Sequence, residues 1–213
     1  AQWSYEETFG RFPQGWVHHH AHPGAELRAG WQSMLIPYLD QQELYENINF
    51  EVPSKTPAAV TNKTLRIFLC PSDRSDAANP VRGGFGTSNY TGNFGTVSAP
   101  RWSLSGFESD WLGMSPTPLR TDGYFWLNSV LRVRDVIDGT SNVMMVSERS
   151  VHSAAGIWFG VRGNQFESDQ VTDSSPGNEI NTGLTSLSSS HTGGVNYLMG
   201  DGAVRFISEK ISS

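Results

Sequence analysis

The sequence of 213 residues contains one cysteine, Cys70, and few charged residues. A single cysteine excludes an internal disulfide framework and a thiolate-rich zinc site. Charged residues make up 17% of the chain, below the usual quarter, and the chain is correspondingly rich in small and polar residues. This composition favours a loop-rich β or α+β protein over a helical bundle.

Basic clusters and long apolar runs are missing as well. The formal net charge is −6 and no run of Lys and Arg occurs, so we expect no nucleic-acid partner, because phosphate binding needs a basic face. No apolar stretch has the length of a transmembrane helix, and no signal peptide is recognisable. Since the chain begins at Ala1 without an initiator Met, we expect a processed or trimmed form.

Aromatic and apolar residues recur at helical spacing in the N-terminal quarter. Tyr5, Phe9 and Phe12 are spaced by four and three, and Gly10 and Pro13 are signals that stop a helix. We therefore expect residues 1–13 to be the tail of a longer N-terminal helix. A second amphipathic pattern runs from Trp31 to Ile48, with acidic residues opposite the apolar face. Pro37 lies inside this pattern and predicts a kink or a break there.

After about residue 60 the pattern changes to short strand-like runs, and four of them are candidate strands: Leu65–Cys70, Tyr124–Leu127, Val143–Val146 and Ile157–Val161. The strongest hairpin signal pairs residues 195–199 with 203–207 through a two-residue type I′ turn at Asp201-Gly202. Residues 168–190 predict a long surface loop that carries partner contacts. Deleting 170–186 is therefore expected to leave the thermal midpoint nearly unchanged.

We expect one α+β domain over residues 1–213, with helices on one face of an antiparallel sheet.

Five ordered segments carry a resemblance that covers nearly the whole chain: residues 31–41, 68–73, 88–93, 135–149 and 191–207. Together they resemble a domain-of-unknown-function family abundant in planctomycete genomes. Its members carry a prepilin-type N-terminal cleavage and methylation segment and a C-terminal His-x9-Asp-Gly motif. His191 and Asp201 are ten positions apart and Gly202 follows, as that motif requires. The prepilin-type segment and its apolar helix are absent from this sequence.

The resemblance implies a pilin- or pseudopilin-like fold, with an N-terminal helix packed on an antiparallel sheet that has long loops. It implies a non-enzymatic structural subunit of a cell-envelope fibre or of a type II secretion-like assembly. Such a subunit is anchored in the inner membrane before assembly and displays a periplasmic or extracellular head. Its partners would be other pilin-like subunits, contacted through the N-terminal helix that is missing here. Tyr5, Phe9 and Phe12 would be the last helix residues to dock on the sheet.

The histidine motif has a structural interpretation and a chemical one. Asp201 and Gly202 occupy positions where hairpin chemistry itself prefers these residues, and His191 could hydrogen-bond the turn or a neighbouring loop. We therefore predict a structural motif at His191, Asp201 and Gly202 and no catalytic residue. Cys70, at the end of an apolar run, is expected to be a small buried hydrophobe.

Two stretches suggest metal ligands. Asp135, Asp138, Asn142 and Glu148 form an oxygen-rich set that suits calcium, although the spacing matches no EF-hand loop and Asp138 also begins an ordinary turn. The run from His18 to His22 offers imidazoles to a transition metal, but we expect a solvated loop because consecutive histidines cannot all face one ion. A structural calcium ion is thus the one cofactor that we consider.

Two other functions compete with the structural subunit. Seven tryptophans could form stacking platforms in a cell-surface module that binds glycans or peptides, and their burial would decide between the two roles. A metal-dependent hydrolase would need a bound metal and a cleft around His191, Asp201 or the acids between 135 and 148.

Overall fold

The computed structural model describes residues 1–17, 27–50, 58–73, 78–96, 121–162, 169–183 and 186–211. The histidine run 18–22 lies outside the described residues, as do Trp102 and Trp111. Within the described ranges, no helix is both long enough and apolar enough to cross a membrane.

The first helix, α1 (Gln2–Phe9), ends where the sequence predicts. Gly10 adopts a left-handed conformation with φ of 65°, and its N–H donates to the carbonyl of Glu6 at 2.7 Å. Tyr5 and Phe12 are buried, but Phe9 is 55% exposed. The expectation that all three aromatic side chains dock on the sheet was therefore wrong for Phe9, and Phe12 lies beyond the helix.

The second amphipathic segment is broken at Pro37, as predicted. It consists of α2 (Trp31–Leu35), a 3₁₀ turn (Ile36–Leu39) and α3 (Gln42–Glu46). Proline lacks the N–H that an α-helix would need at this position, and Asp40, with φ of 56°, ends the 3₁₀ turn. Three further 3₁₀ turns follow, Arg66–Phe68, Val133–Asp135 and Val151–Ser153.

The strands are short, and the described ranges contain nine of them: β1 (Leu27–Ala29), β2 (Thr87–Ser88), β3 (Tyr90–Gly95), β4 (Met144–Glu148), β5 (Gly156–Ile157), β6 (Gly160–Arg162), β7 (Val171–Asp173), β8 (Gly194–Met199) and β9 (Val204–Ser208). Five form one sheet in the order β7-β3-β4-β8-β9, while β1 pairs with β6 and β2 with β5. All pairs are antiparallel except β3 with β7, which is parallel. The α+β class is confirmed, and the main sheet is mixed.

The predicted strands had different outcomes. The run 143–146 is confirmed as a strand, β4, which begins one residue later at Met144. Leu65–Cys70 instead contains the 3₁₀ turn Arg66–Phe68, and the run 157–161 is divided between β5 and β6. Residues 124–127 form only an isolated bridge, from Leu127 to Trp16. The reason is that the N–H groups of Tyr124 and Phe125 both donate to the carbonyl of Asn93, at 3.0 and 3.2 Å, and so leave no regular ladder.

Residues 168–190 are not simply a surface loop. They contain β7, and both Gln170 and Val171 are buried. The indole N–H of Trp31 donates to the carbonyl of Gln170 at 2.9 Å, and Leu187 packs in a cluster with β8. Deleting 170–186 would remove the edge strand β7 and residues that pack against two hydrophobic clusters, so we now expect this deletion to lower the thermal midpoint.

Hydrophobic clusters lie on both faces of the main sheet. The larger one joins α1 and α2 to β3 and β4, and its buried aromatic members are Tyr5, Phe12, Trp16, Trp31, Phe94, Tyr124, Phe125 and Trp126. A cluster on the other face is built by Leu187, Val195, Tyr197 and Met199. A third surrounds Trp158 and contains Ile36, Ile48, Phe68, Phe85, Ile157 and Phe159.

The hairpin of β8 and β9 is confirmed, but its turn is a different type. Met199 N–H donates to the carbonyl of Ala203 at 2.8 Å, and Gly202 N–H donates to the carbonyl of Met199 at 3.0 Å. The loop therefore has three residues and ends in a left-handed glycine, Gly202, with φ of 90°. The predicted two-residue turn needs positive φ at Asp201, which this residue does not adopt.

Replacing Gly202 by alanine is expected to lower the free energy of unfolding by about 1–2 kcal/mol, the cost of a left-handed conformation for an L-residue. A Cβ added at position 202 meets no atom within 4 Å, so the loss of stability measures the backbone strain and not a steric clash. Urea unfolding of Gly202→Ala, with Gly202→Asn as the control, tests this. Asparagine tolerates the left-handed region better than alanine, so Gly202→Asn should lower the stability less. Equal stability of Gly202→Ala and the wild type would contradict the left-handed conformation of Gly202.

Candidate functional site

His191 lies where three distant segments of the chain meet. Its Nε2 is 3.2 Å from Oε1 of Glu148 and 3.7 Å from Sγ of Cys70. The Cys70 Sγ is in turn 3.7 Å from the same Glu148 oxygen. Cys70 follows the 3₁₀ turn 66–68, Glu148 ends β4, and His191 precedes β8. We call these three side chains the Cys–Glu–His cluster.

The Glu148 carboxylate is the centre of the cluster, and both of its oxygens lie 3.3 Å from the side-chain amide of Asn196, while their other partners differ. Oε1 faces Cys70 and His191, while Oε2 accepts the backbone N–H of Asn196 at 2.9 Å. The Glu148 side chain is 7% exposed and that of His191 is 30% exposed. The cluster is therefore reached from solvent on the histidine side, and its carboxylate is held by the adjacent strand β8.

Asn89 ties the cysteine segment to β4. Its Oδ1 accepts the Cys70 N–H at 3.0 Å, and its Nδ2 donates to Oδ2 of Asp73 at 2.6 Å and to the carbonyl of Arg149 at 3.2 Å. Its backbone pairs with Phe68 and Arg149. Because Asn89 is 1% exposed, these bonds form out of contact with water and fix the position of Cys70 relative to Glu148.

Asp73 and two serines connect the histidine loop to the same framework. The Asp73 carboxylate accepts the Val151 N–H at 2.8 Å and the hydroxyl of Ser190 at 3.3 Å. The hydroxyl of Ser189 accepts the His191 N–H at 3.0 Å. The recess between these residues and Cys70 is too narrow to admit a sphere the size of water. The backbone around the cluster is thus closely packed.

Burial raises the pKa of the Cys70 thiol above its ordinary value, and the nearby negative charge of Glu148 raises it further. Backbone hydrogen bonds from Ser72 and Asp73 act in the opposite direction. At neutral pH the side chain is therefore a protonated thiol. Cys70 is 5% exposed, which confirms the predicted burial, but its contacts with Glu148 and His191 were not predicted.

Buried charges lie behind the cluster. Arg149, which follows Glu148 in the chain, is fully buried and donates from Nη1 to the hydroxyl of Thr172 at 3.1 Å. Burial, together with the nearby charge of Arg82, lowers its pKa to about 9, and Asp169 opposes this change. Arg82 Nη1 is 2.9 Å from Oδ1 of Asp169, and both side chains are buried. The carboxylate of Asp169 thus acts on two buried guanidinium groups.

The predicted histidine motif is divided between the two ends of β8. His191 contacts Glu148, whereas Asp201 is exposed in the hairpin turn and accepts the Ala203 N–H at 2.9 Å. Gly202 supplies the positive φ of the same turn. Asp201 and Gly202 therefore form the turn, and His191 bonds a carboxylate of a neighbouring strand instead of that turn.

The residues considered for calcium are not brought together. Asp135 accepts the Arg132 N–H at 3.0 Å, and Asn142 donates to the backbone carbonyl of Asp138 at 2.8 Å, both at exposed turns before β4. Glu148 lies at the far end of β4, among the cluster residues. Among the residues that the structure describes, only Cys70, Glu148 and His191 form a group of three metal-ligating side chains with ligand atoms within 4.8 Å of one another.

Four of the five segments that carry the family resemblance build this one site. Residues 68–73 supply Cys70, 88–93 supply Asn89, 135–149 supply Glu148, and 191–207 supply His191. Sequence reasoning treated these motifs separately and missed Cys70 and Asn89 as site residues. The available signal was the resemblance itself, because Cys70 and Asn89 each lie inside one of its five segments.

These features define an α+β domain with a mixed five-stranded sheet and a Cys–Glu–His cluster at one end of β4 and β8. Over residues 1–213 the chain matches the family described as "Protein of unknown function (DUF1559)", and it belongs to that family. Searches of curated proteins and of solved structures found no match. Membership in a domain-of-unknown-function family, predicted from the five segments, is confirmed, while the prepilin-type segment stays a prediction.

Proposed function

We propose that this chain is the head of a pilin-like, non-enzymatic structural subunit of a cell-envelope fibre or of a type II secretion-like assembly. The observation that carries the proposal is the position of α1, which leads directly onto the main hydrophobic cluster. Tyr5 and Phe12 are buried there together with Phe94 of β3 and Met145 of β4. An N-terminal helix that packs against the sheet in this way is suited to a head domain displayed at the end of a longer helix.

α1 has eight residues, too few to reach from the head into a membrane, so the proposed subunit requires a longer helix. In the proposed subunit, an apolar helix anchored in the inner membrane continues into α1 and packs with the helices of other pilin-like subunits.

The burial of the tryptophans favours this role over a glycan- or peptide-binding module. In the described part of the chain, Trp16, Trp31, Trp126 and Trp158 are at most 6% exposed and belong to the hydrophobic clusters. Trp3 is partly buried against the same core. A surface groove of about 610 Å³ beside α3 has no aromatic residue among those that line it, so it offers no stacking platform.

Intact mass spectrometry of the full-length protein, expressed from its own gene in its own host, tests the proposal. We expect a mature N-terminus at a methylated hydrophobic residue, with a long apolar helix retained ahead of α1. An uncleaved N-terminus, or one produced by signal peptidase, would contradict the pilin-like role and make a surface-binding module the leading hypothesis.

Contacts between subunits can be tested in the same host by site-specific photo-crosslinking. Phe9 is 55% exposed on α1, so a crosslinker at this position should yield adducts with other pilin-like subunits. Ile137, which is 90% exposed and distant from α1 in the sequence, is the matched control and should give few adducts. Equal yields from positions 9 and 137 would argue against packing through the N-terminal helix.

A further inference from the structure

The Cys–Glu–His cluster has the dimensions of a zinc site. Zinc lies about 2.3 Å from a sulfur ligand and about 2.0 Å from a nitrogen or oxygen ligand. In tetrahedral geometry the sulfur is then about 3.5 Å from each of the other two ligand atoms, and those two are about 3.3 Å from each other. The corresponding distances in the cluster are 3.7, 3.7 and 3.2 Å. An ion could therefore be accommodated with ligand shifts of a few tenths of an ångström.

We propose that Cys70, Glu148 and His191 bind a divalent transition metal ion of the zinc class, independently of the chain's role as a fibre subunit. Thiolate and imidazole ligands select borderline-soft ions such as Zn²⁺ or Co²⁺ and disfavour Ca²⁺ and Mg²⁺, which need oxygen ligands. The three protein ligands leave a fourth position on the side where His191 is exposed. Water or a group from a partner subunit completes the coordination there.

Surrounding hydrogen bonds hold the ligands in place for this role. The Asn196 N–H donates to Oε2 of Glu148, and the Asn196 side-chain amide lies 3.3 Å from both carboxylate oxygens. These contacts orient the carboxylate so that Oε1 faces Cys70 and His191. Asn89 holds the backbone of Cys70, and the Ser189 hydroxyl holds that of His191. Such outer contacts restrict ligand movement and raise metal affinity, because little ordering remains to be done on binding.

The three proposed ligands are far apart in the sequence. Cys70 and His191 are 121 positions apart, and Cys70 and Glu148 are 78 apart. A metal ion at their junction would link the segment after the 3₁₀ turn 66–68 to the ends of β4 and β8. Its main effect on the protein is therefore expected to be stabilisation of the fold, by binding the native state and not the unfolded chain.

The test uses protein purified without metal-affinity chromatography. Its background variant carries His18→Gln, His19→Gln, His20→Gln and His22→Gln, which remove the imidazoles of the histidine run. After treatment with a chelator, zinc affinity is measured by competition with a chromophoric chelator. We expect one Zn²⁺ per chain and a higher thermal midpoint with zinc. Cys70→Ser and His191→Gln should each weaken binding by more than about 100-fold, beyond the effect of outer-contact mutations.

His152→Gln is the matched control, because His152 is an exposed histidine outside the cluster, and it should bind zinc like the background protein. Co²⁺ provides a second measurement, since a cobalt–thiolate bond gives a charge-transfer absorption band. This band should be present in the background protein and in His152→Gln and absent in Cys70→Ser. Circular dichroism verifies that each variant is folded.

Three outcomes would overturn the proposal. The first is the absence of stoichiometric zinc binding by the folded background protein, which would leave the cluster as a hydrogen-bonded trio around Glu148. The second is zinc binding that survives both Cys70→Ser and His191→Gln unchanged, which would place the ion elsewhere. The third is cobalt binding without a thiolate band.

Discussion

Replacement of Asp169 by alanine is expected to lower the free energy of unfolding by about 3–5 kcal/mol, the usual cost of breaking a buried ion pair by removing one partner. Asp169 is fully buried, and its Oδ1 is 2.9 Å from Nη1 of Arg82. Its charge also acts on Arg149, which is itself fully buried. The substitution leaves two guanidinium charges in a region that water cannot reach.

Urea unfolding monitored by tryptophan fluorescence measures this loss. Asp138→Ala is the matched control, because Asp138 is exposed in a turn and surface substitutions of this kind usually change stability by less than about 0.5 kcal/mol. A loss below about 1 kcal/mol for Asp169→Ala would mean that the buried arginines do not depend on this carboxylate.

Asn89→Ala is expected to lower the free energy of unfolding by about 3 kcal/mol or more. The side-chain amide of Asn89 accepts a hydrogen bond from the Cys70 N–H and donates to the Asp73 carboxylate and to the carbonyl of Arg149. Each buried group that loses its partner costs about 1–3 kcal/mol. The effect is large because one small side chain connects the cysteine segment, β4 and the turn at Asp73.

The measurement is made with a chelator present throughout, so that metal binding does not contribute. Asn89→Asp keeps the acceptor for Cys70 N–H but turns the donor into a carboxylate that faces Asp73, so it should also be destabilised. Asn47→Ala, at an exposed helix end, is the control and should cost much less. Wild-type stability of Asn89→Asp would contradict the role of the amide as a donor.

The parts of the fold that sequence predicted correctly depend on local chemistry. Gly10 ends α1 and Pro37 breaks the second amphipathic segment, because a left-handed glycine and a missing N–H act within one helical turn. The β8–β9 hairpin was predicted for the same reason, although its loop proved one residue longer. Leu65–Cys70 and 168–190 were misjudged, because a few residues of turn or edge strand are decided by what packs against them.

The family resemblance predicted the correct family and singled out His191, but it did not predict which residues His191 contacts. It grouped His191 with Asp201, which the structure places beyond the other end of β8. Cys70 was predicted to be buried, and it is, without its contact to Glu148 being foreseen. The set Asp135, Asp138, Asn142 and Glu148 was proposed from proximity in sequence, whereas β4 carries Glu148 away from the other three.

By itself, the sequence determined the α+β class, the helix ends, the main hairpin and the family, because each depends on residues close together in the chain or on ordered motifs. Only the tertiary structure decided that Cys70, Glu148 and His191 meet. These residues are separated by 43 to 121 positions in the sequence. The distances between their side chains are set by the strand order of the main sheet and by the hydrogen bond of Asn89 to Cys70. Local propensities act over a few residues and carry no information about which distant strand ends are adjacent in the sheet.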